Sequence, residues 1–199
     1  MNRHVPRLVV LAGAAVACAC ASAPRPRWVP ANGDYAPDSG RFAVRFPDGW
    51  MLLATPKIVM ASRDGTLLQQ IDVRTHEAGK PLGSSTKKVV SRGMLPQEVA
   101  EVVQDAIVSS PGMQGAAMTE NGPAEIAGQP GFRLAFAYKD AEGLRIRAVV
   151  YGLLAGDVLY QLSYRAPERY YFARDVDTFE RVRASFRVTT ALAGAAGSQ

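Results

Sequence analysis

The sequence predicts an α+β domain in which an antiparallel β-sheet is flanked by helices, forming an α/β/α sandwich. Several segments alternate apolar and polar residues with a period of two, as half-buried strands do. Short turns rich in Gly, Asp and Pro join these segments, so neighbouring strands are expected to run antiparallel. Two segments with a helical period, near residues 96–108 and 168–186, stand between and after the strand segments instead of alternating with them.

Four strand candidates precede the first helix. Phe42, Val44 and Phe46 fall on one face of the first candidate. The other three span residues 50–54, 58–62 and 67–74. Asp64-Gly65 is the dipeptide expected to close the hairpin between the last two. Residues 79–94 are polar and follow neither period, which predicts a loop.

The first helix is predicted to begin at Pro96 and to end before the Ser-Ser-Pro-Gly sequence at residues 109–112. Proline suits the first helical turn, and Glu98 favours the positive end of the helix dipole. One face of this segment is apolar and consists of Leu95, Val99, Val102, Val103, Ala106 and Ile107.

A meander of three strands is predicted to follow, after a short lead-in strand at residues 123–127. The three strands alternate over residues 132–138, 144–150 and 158–164 and are separated by turns at Asp140–Gly143 and Gly156-Asp157. A second helix is expected over about residues 168–186. Residues 185–188 are expected to leave it as a final short strand.

The N-terminal segment resembles a bacterial export signal. Arg3, His4 and Arg7 form its positive start, and an uncharged apolar run extends from Leu8 to Val16. The sequence Ala-Val-Ala-Cys that ends at Cys18 then resembles a lipobox, the lipoprotein signal in which the cysteine is alkylated with diacylglycerol and the leader is cut before it.

Cys18 is therefore the predicted lipidation site, and residues 1–17 are the predicted lipoprotein signal peptide. Two alternatives stay open: lipidation of the nearby Cys20, and plain secretion with cleavage at an Ala-x-Ala motif. Three acyl chains exceed the two signals that stable anchoring requires. Because Ala19 does not resemble an inner-membrane retention signal, we expect a bacterial envelope protein that is lipid-anchored to the outer membrane and faces the periplasm.

Two flanking segments separate the predicted domain from the chain ends. Residues 18–39 are rich in Pro, Ala, Gly and Arg and are expected to form a tether, in which Trp28 either docks on the domain or lies at the lipid interface. Residues 189–199 are low in complexity and are expected to be disordered. Residues 40–188 remain as one domain, which is long enough to bury a core without metal or disulfide.

The charge distribution argues against a nucleic-acid partner. The chain has 23 Lys and Arg and 18 Asp and Glu, a formal net charge of +5, and removal of a leader that carries Arg3 and Arg7 leaves +3. Nucleic-acid-binding proteins concentrate basic residues on one face. Here the basic residues are spread along the chain, so we expect no nucleic acid among its partners.

Several packing and turn motifs resemble the PsbP/Mog1-like superfamily, including bacterial lipoproteins of the DcrB type, over residues 40–188. The motifs are Phe42-x-Val44-x-Phe46-Pro47-x-Gly49-Trp50, Ile126-Ala127-Gly128-Gln129-Pro130-Gly131, Tyr160-x-Leu162-x-Tyr164-x-Ala166-Pro167 and Phe179-Glu180-x-Val182-x-x-Ser185-Phe186. The resemblance implies an antiparallel sheet sandwiched between helices. It also implies a binding or assembly accessory without catalysis of its own, and it carries over no functional residues.

Catalytic and cofactor motifs are not evident in the sequence, so we predict neither an enzyme nor a cofactor. His76 is the single histidine after the leader, whereas a zinc site needs three or four ligands. Ser-x-x-Lys occurs twice in residues 84–88, but in a Gly/Ser-rich loop without the partner motifs of serine acyl-enzymes. Residues 128–131 are interpreted as a turn, because Pro130 has no N–H to offer a phosphate.

A group of basic residues is the candidate site for an anionic partner. Arg133, Arg145, Arg147 and Arg165, together with Lys139, are predicted to share one face of the sheet. The alternative is a polar face on which the arginine stems pack under a helix with acidic partners.

Taken together, these features predict a non-catalytic, lipid-anchored envelope protein that acts as a protein-binding or assembly accessory module. The alternative is a carrier or sensor for a small ligand, which would use a pocket between sheet and helix. That alternative requires a concave, partly apolar cavity, and a solidly filled interface would exclude it.

Overall fold

The computed structural model describes residues 26–189, which form eleven β-strands and two α-helices. In chain order these elements are β1 (Val29–Pro30), β2 (Asp34–Tyr35), β3 (Phe42–Arg45), β4 (Met51–Ala54), β5 (Ile58–Ser62), β6 (Gln70–Glu77), α1 (Pro96–Val108), β7 (Gln114–Ile126), β8 (Gln129–Lys139), β9 (Arg145–Ala155), β10 (Val158–Pro167), α2 (Tyr171–Ser185) and β11 (Arg187–Val188). The predicted signal peptide, Cys18, Cys20 and residues 190–199 of the predicted tail lie outside the described residues.

Eight of these strands form one antiparallel sheet in the order β1-β4-β5-β6-β10-β9-β8-β7. Helix α1 packs against β7, β8 and β9 on one face, and α2 packs against β10 on the other. A small sheet, in the order β11-β3-β2, lies on the α2 side. The predicted α+β sandwich is confirmed. Within the described part of the chain, neither helix is long and apolar enough to cross a membrane.

Two hydrophobic clusters occupy the two faces of the large sheet. The α2-side cluster includes Phe42, Trp50, Ile71, Tyr164 and Phe179. The α1-side cluster includes Val99, Val103, Phe132, Phe136 and Leu159. The period of two explains this division, as in β9, where Ala148 and Val150 enter the α1-side cluster and Val149 and Tyr151 enter the α2-side cluster.

Helix α1 has the predicted bounds. The Leu95 backbone N–H donates to Glu98 Oε2 at 2.7 Å, which satisfies one of the unpaired donors at the helix start. Pro96 occupies the first turn, where a missing N–H costs nothing. Beyond the helix, the Ser109 N–H returns to the Asp105 carbonyl, and the chain then turns into β7.

Strands β6 and β7 differ from their predicted positions. Strand β6 begins at Gln70 instead of residue 67, because Gly65 (φ +105°) starts a wider loop in which the N–H groups of Leu68 and Gln69 donate to its carbonyl. Strand β7 begins at Gln114, well before the predicted lead-in strand. It lies at the sheet edge with two register shifts, and most of its side chains are exposed, so it lacks a clear alternation.

The packed part of the chain begins before the predicted domain boundary at residue 40. Strands β1 and β2 lie within the predicted tether and pair with β4 and β3. Ala31, between them, is buried and donates its N–H to the Trp50 carbonyl at 2.8 Å. Trp28, directly before β1, remains 40% exposed.

Candidate functional site

A cavity of about 240 Å³ lies where the C-terminal half of α1 meets the large sheet. On this face of the sheet α1 covers β7, β8 and β9 but not β6 and β10, and the cavity lies between the covered and the uncovered strands. The apolar wall comes from α1 and from the facing residues of β8 and β9, and consists of Val103, Ala106, Ile107, Phe136, Ala148 and Val150. This is the concave, partly apolar cavity that the small-ligand alternative requires.

The opposite wall of the cavity is polar and is built by β6 and β10. In the strand register Asp72 pairs with Ser163 and Arg74 pairs with Gln161. Directly paired residues of antiparallel strands project from the same face, so these four side chains form one patch. Ile71 and Val73 alternate with them and are buried in the α2-side cluster. Each of the two strands therefore supplies the polar wall with one face and the core with the other.

Asp72 is buried at the centre of the polar wall. Its carboxylate accepts hydrogen bonds from Gln70 Nε2 at 2.9 Å and from Arg74 Nε at 2.7 Å. Arg165 Nη2 donates to Gln70 Oε1 at 2.8 Å, which extends the chain of contacts to β10. Both carboxylate oxygens are engaged, so Asp72 holds Arg74 directly and Arg165 through Gln70 instead of presenting a free base to the cavity.

His76 contributes a neutral ring to the same wall. Burial, followed by the charge of Arg74, lowers the pKa of His76, so its imidazole is uncharged at neutral pH. Its Nε2 atom is buried and has no hydrogen-bond partner among the described residues. Buried polar atoms in native proteins nearly always have a partner, so an orphaned ring nitrogen at a cavity wall indicates a position where a bound molecule can supply one.

The predicted arginine face is divided between the two sides of the sheet. Arg147 pairs with Ala166, whereas Arg165 pairs with Ala148, and adjacent residues of one strand project to opposite faces. Arg165 therefore lies on the cavity side, while Arg147 lies on the α2 side with Arg133 and Arg145. The prediction that all four share one face is wrong for Arg165, because Arg165 pairs with Ala148 and not with Arg147 or Arg145.

The three arginines on the α2 side have partners of their own. Arg133 donates to the Tyr151 hydroxyl at 3.0 Å and also pairs with Glu120. Arg145 pairs with Glu168 at 2.6 Å. The Arg147 guanidinium lies 4.6 Å from the centroid of the Phe172 ring. These contacts agree with the alternative interpretation, in which the arginines pack under a helix and pair with acidic side chains. A role of these arginines in binding an anionic partner stays a prediction.

The Ser-x-x-Lys segment belongs to the loop that covers one side of the cavity. Thr86 is buried, and its hydroxyl donates to Asp105 Oδ2 on α1 at 2.7 Å. Lys88 Nζ lies 3.1 Å from the other oxygen of that carboxylate. Leu82 of the same loop lines the cavity. Within residues 26–189, no group of three His, Cys, Asp or Glu side chains is arranged to hold a metal ion.

Three exposed apolar side chains mark a second candidate site at one end of the sheet. Leu67 is 85% exposed, Tyr170 68% and Leu144 48%. They lie in the β5–β6, β10–α2 and β8–β9 loops, respectively. We call this set, Leu67, Leu144 and Tyr170, the loop-end patch.

The strand register brings these three loops to the same end of the sheet. Gln70, at the start of β6, pairs with Arg165 near the end of β10. Pro167, at the end of β10, pairs with Ile146 near the start of β9. The loops before β6, after β10 and before β9 are therefore neighbours.

Ion pairs fix the geometry of this end. Asp175, buried in α2, lies 3.0 Å from Arg63 Nη2 and 2.9 Å from Arg174 Nε. Arg174 also pairs with Asp64, in the same loop as Leu67. The hydrogen bonds from Arg174 and Gln69 lower the pKa of the Asp64 carboxyl. The network ties the β5–β6 loop to the start of α2, where Tyr170 adopts a left-handed φ of 67°.

Sequence reasoning did not identify the polar wall of the cavity. The signal was present, because Gln70, Asp72, Arg74 and His76 occupy alternate positions of β6, and Gln161, Ser163 and Arg165 do the same in β10. A strand whose two faces are both buried is normally apolar on both, so a regular polar face in two central strands indicates an uncovered or functional surface.

Solved structures share this fold, although no protein-family model matches the chain and no curated protein is similar to it in sequence. The Ran-binding protein Mog1p of Saccharomyces cerevisiae is 11% identical with a TM-score of 0.53, and the alignment covers 80% of this chain and 96% of that chain. Cyanobacterial PsbP (CyanoP) of Synechocystis sp. PCC 6803 is 16% identical with a TM-score of 0.48, covering 87% and 98%. LpqN of Mycobacterium tuberculosis, involved in cell envelope biogenesis, is 12% identical with a TM-score of 0.39, covering 85% and 87%. The match to Mog1p, with a TM-score above 0.5, shows that the chain has the Mog1 fold.

Proposed function

We propose that this protein is a non-catalytic, lipid-anchored accessory module of the bacterial cell envelope that binds another protein through its loop-end patch. The observation that carries the proposal is the exposure of Leu67, Leu144 and Tyr170 at one end of the sheet. Exposed apolar side chains that lie together on a folded domain mark interaction sites, whereas isolated ones do not. The ion pairs around Asp175 reduce the entropy cost of docking, because they hold two of the three loops in place before a partner arrives.

Site-specific photo-crosslinking in living cells tests the binding face. A photo-reactive amino acid in place of Leu67 is expected to give one discrete adduct with an envelope protein. The matched control is the same amino acid in place of Leu95, which is 54% exposed at the start of α1. Tyr170→Asn, which retains a residue that tolerates positive φ, is expected to weaken the Leu67 adduct. The same adducts from both positions, or none from position 67, would contradict the proposal.

Incorporation of labelled palmitate tests the anchor. The wild-type chain and Cys20→Ser are expected to carry label, and Cys18→Ser is expected to lose it, because only the cysteine after the lipobox is modified. Equal labelling of the wild type and Cys18→Ser rules out Cys18. Loss of label in Cys20→Ser alone would assign the anchor to the second cysteine.

A second candidate function, a carrier or sensor for a small ligand, is favoured by the cavity beside α1. Native mass spectrometry of protein isolated from cells tests it. The wild-type protein is expected to retain a small molecule that Ala106→Phe, which places a ring in the cavity, does not retain. Ser84→Ala in the exposed part of the neighbouring loop is the control. If the wild type, Ala106→Phe and Ser84→Ala all release the same molecules, the carrier or sensor function is contradicted.

A further inference from the structure

We infer that the cavity beside α1 binds a small amphipathic carboxylate, with its apolar chain against α1 and its carboxylate on the polar wall, where Arg74 and Arg165 supply the positive charge. The inference rests on the second candidate function, that of a small-ligand carrier. It goes beyond it by naming the chemical class of the ligand and the side chains that recognise each end of it.

The apolar wall sets the character and length of the tail. Val103 and Ile107 from α1 face Phe136, Ala148 and Val150 from the sheet, and none of these side chains offers a hydrogen bond. The volume of about 240 Å³ accommodates about eight methylene-sized groups, at roughly 30 Å³ for each group of the size of a water molecule. A chain of medium length fits this space.

The polar wall has an excess of one positive charge. Arg74 and Arg165 are both exposed, and Asp72 is the single acidic side chain in the wall. Asp72 engages only Nε of Arg74, and Gln70 engages only Nη2 of Arg165. Both guanidinium groups therefore keep N–H donors that no hydrogen bond between described residues uses. One carboxylate balances the excess charge and matches the planar fork of a guanidinium.

The remaining polar groups are neutral and favour the same class of ligand. The lowered pKa of His76 keeps its ring uncharged beside Arg74. The orphaned Nε2 of His76 and the side chains of Gln161 and Ser163 can exchange hydrogen bonds with a carboxylate without adding charge to the site. A cationic ligand would face two arginines, and a dianion would exceed the single positive charge that the wall supplies.

Calorimetric titration of the full-length chain, with Cys18→Ser to prevent lipidation, tests the inference with three probes. Octanoate has both the charge and the tail, octanol has only the tail, and acetate has only the charge. Octanoate is expected to bind at one site per chain, at least tenfold more tightly than either of the other two. Octanol binding as tightly as octanoate would overturn the carboxylate assignment.

Two arginine variants, one on each face of the large sheet, complete the test. Arg165→Gln removes one positive charge from the cavity wall and is expected to weaken octanoate binding at least fivefold. Arg147→Gln removes the same charge from the opposite face of the sheet and is expected to leave binding unchanged. Equal weakening by both variants would overturn the inference, because binding would then depend only on net charge.

The outcome also separates this inference from the function on which it rests. If Ala106→Phe abolishes retention of a small molecule by the native protein but octanoate does not bind, the carrier function stands and the ligand class is wrong. If neither result is obtained, the cavity is not a ligand site. The protein-binding proposal is tested independently by the crosslinks from position 67.

Discussion

Gly152 lies beneath the ring of Phe132 in the α1-side cluster. The two residues are direct cross-strand partners of β8 and β9, so the ring folds over a position that has no side chain. A Cβ built at Gly152 would overlap the Phe132 ring carbons, and one built at Gly131 would lie 2.5 Å from the Gly152 carbonyl oxygen. These glycines are required by space and not by backbone conformation, since neither has a positive φ.

Gly152→Ala is therefore expected to lower the free energy of unfolding by about 1–3 kcal/mol, the usual cost of overpacking a filled core. Gly122→Ala is the matched control, because Gly122 lies in the neighbouring edge strand with nothing near its absent side chain. Urea denaturation measures both variants. Equal stability of Gly152→Ala and the wild type would show that the Phe132 ring moves away without cost.

His76 is expected to make the free energy of unfolding depend on pH, in a range above that in which carboxylates titrate. Burial lowers the pKa of His76 in the folded state below the ordinary value of about 6.5 that it has in the unfolded chain. The unfolded state then binds more protons as the pH falls through 6.5, so the free energy of unfolding decreases from there toward the folded-state pKa.

His76→Gln is expected to remove this decrease. Chemical denaturation between pH 7.5 and 5.5 should show falling stability for the wild type and a flatter profile for the variant. A wild-type profile that is flat over this range, or one that falls equally in the variant, would assign the pH dependence to other groups.

The Thr86 hydroxyl is the buried hydrogen-bond contact between the β6–α1 loop and the helix. Thr86→Val keeps the shape of the side chain but loses the hydrogen bond to Asp105. We expect a loss of about 1 kcal/mol and faster hydrogen exchange confined to residues 79–94, because a typical intramolecular hydrogen bond contributes about that much. Ser85→Ala, which changes an exposed hydroxyl in the same loop, serves as the control. Unchanged exchange in Thr86→Val would mean that the Lys88–Asp105 ion pair and the packing of Leu82 are enough to hold the loop.

The start of α2 depends on the buried carboxylate of Asp175. Asp175→Asn removes the buried carboxylate that Arg63 and Arg174 share and leaves them only the exposed Asp64, and we expect it to lower the free energy of unfolding by about 1.5–3 kcal/mol. Asp177→Asn removes an exposed carboxylate of the same helix and should have little effect. Thermal unfolding compares the two. Equal destabilisation by Asp175→Asn and Asp177→Asn would contradict a specific role for the buried Asp175 carboxylate.

Periodicity predicted the elements whose faces differ in burial. Helix α1 and strand β3 agree closely with their predictions because each has one buried apolar face and one more exposed face. Strand β7 was mostly missed because an exposed edge strand carries no such contrast. The start of β6 was displaced because Leu67 resembles a core residue, and only the hydrogen bonds to Gly65 show that it belongs to the loop.

The candidate site was harder to predict than the fold, because it depends on register between distant segments. Asp72 and Ser163 are far apart in sequence and meet only because β6 and β10 are neighbours in the sheet. Arg165 was assigned to the wrong face for the same reason, since a shift of one residue moves a side chain to the other face. The existence of a sheet–helix cavity was foreseen as an alternative, but its lining residues were not.

The two hydrophobic clusters share the strands of one sheet, so the described domain is expected to unfold as a unit. Val103→Ala removes volume from the α1-side cluster and should cost about 1–3 kcal/mol. Trp50 is buried in the other cluster. In a Trp28→Phe background, where Trp50 is the one tryptophan of the chain, its fluorescence should nevertheless report the same shifted midpoint as far-UV circular dichroism. A helix signal that is lost before the Trp50 signal would show that α1 unfolds separately.

Both edge strands of the large sheet, β1 and β7, are unsuited to pairing with a strand of another chain. Strand β1 is only two residues long and includes Pro30, which has no N–H to donate. At the other edge, the register shifts of β7 twist the strand and interrupt its row of exposed backbone N–H and C=O groups. Regular exposed borders recruit strands from neighbouring molecules and start aggregation. A protein concentrated on a membrane surface by an acyl anchor would meet its own copies often, and these two borders keep such encounters from propagating into fibrous assemblies.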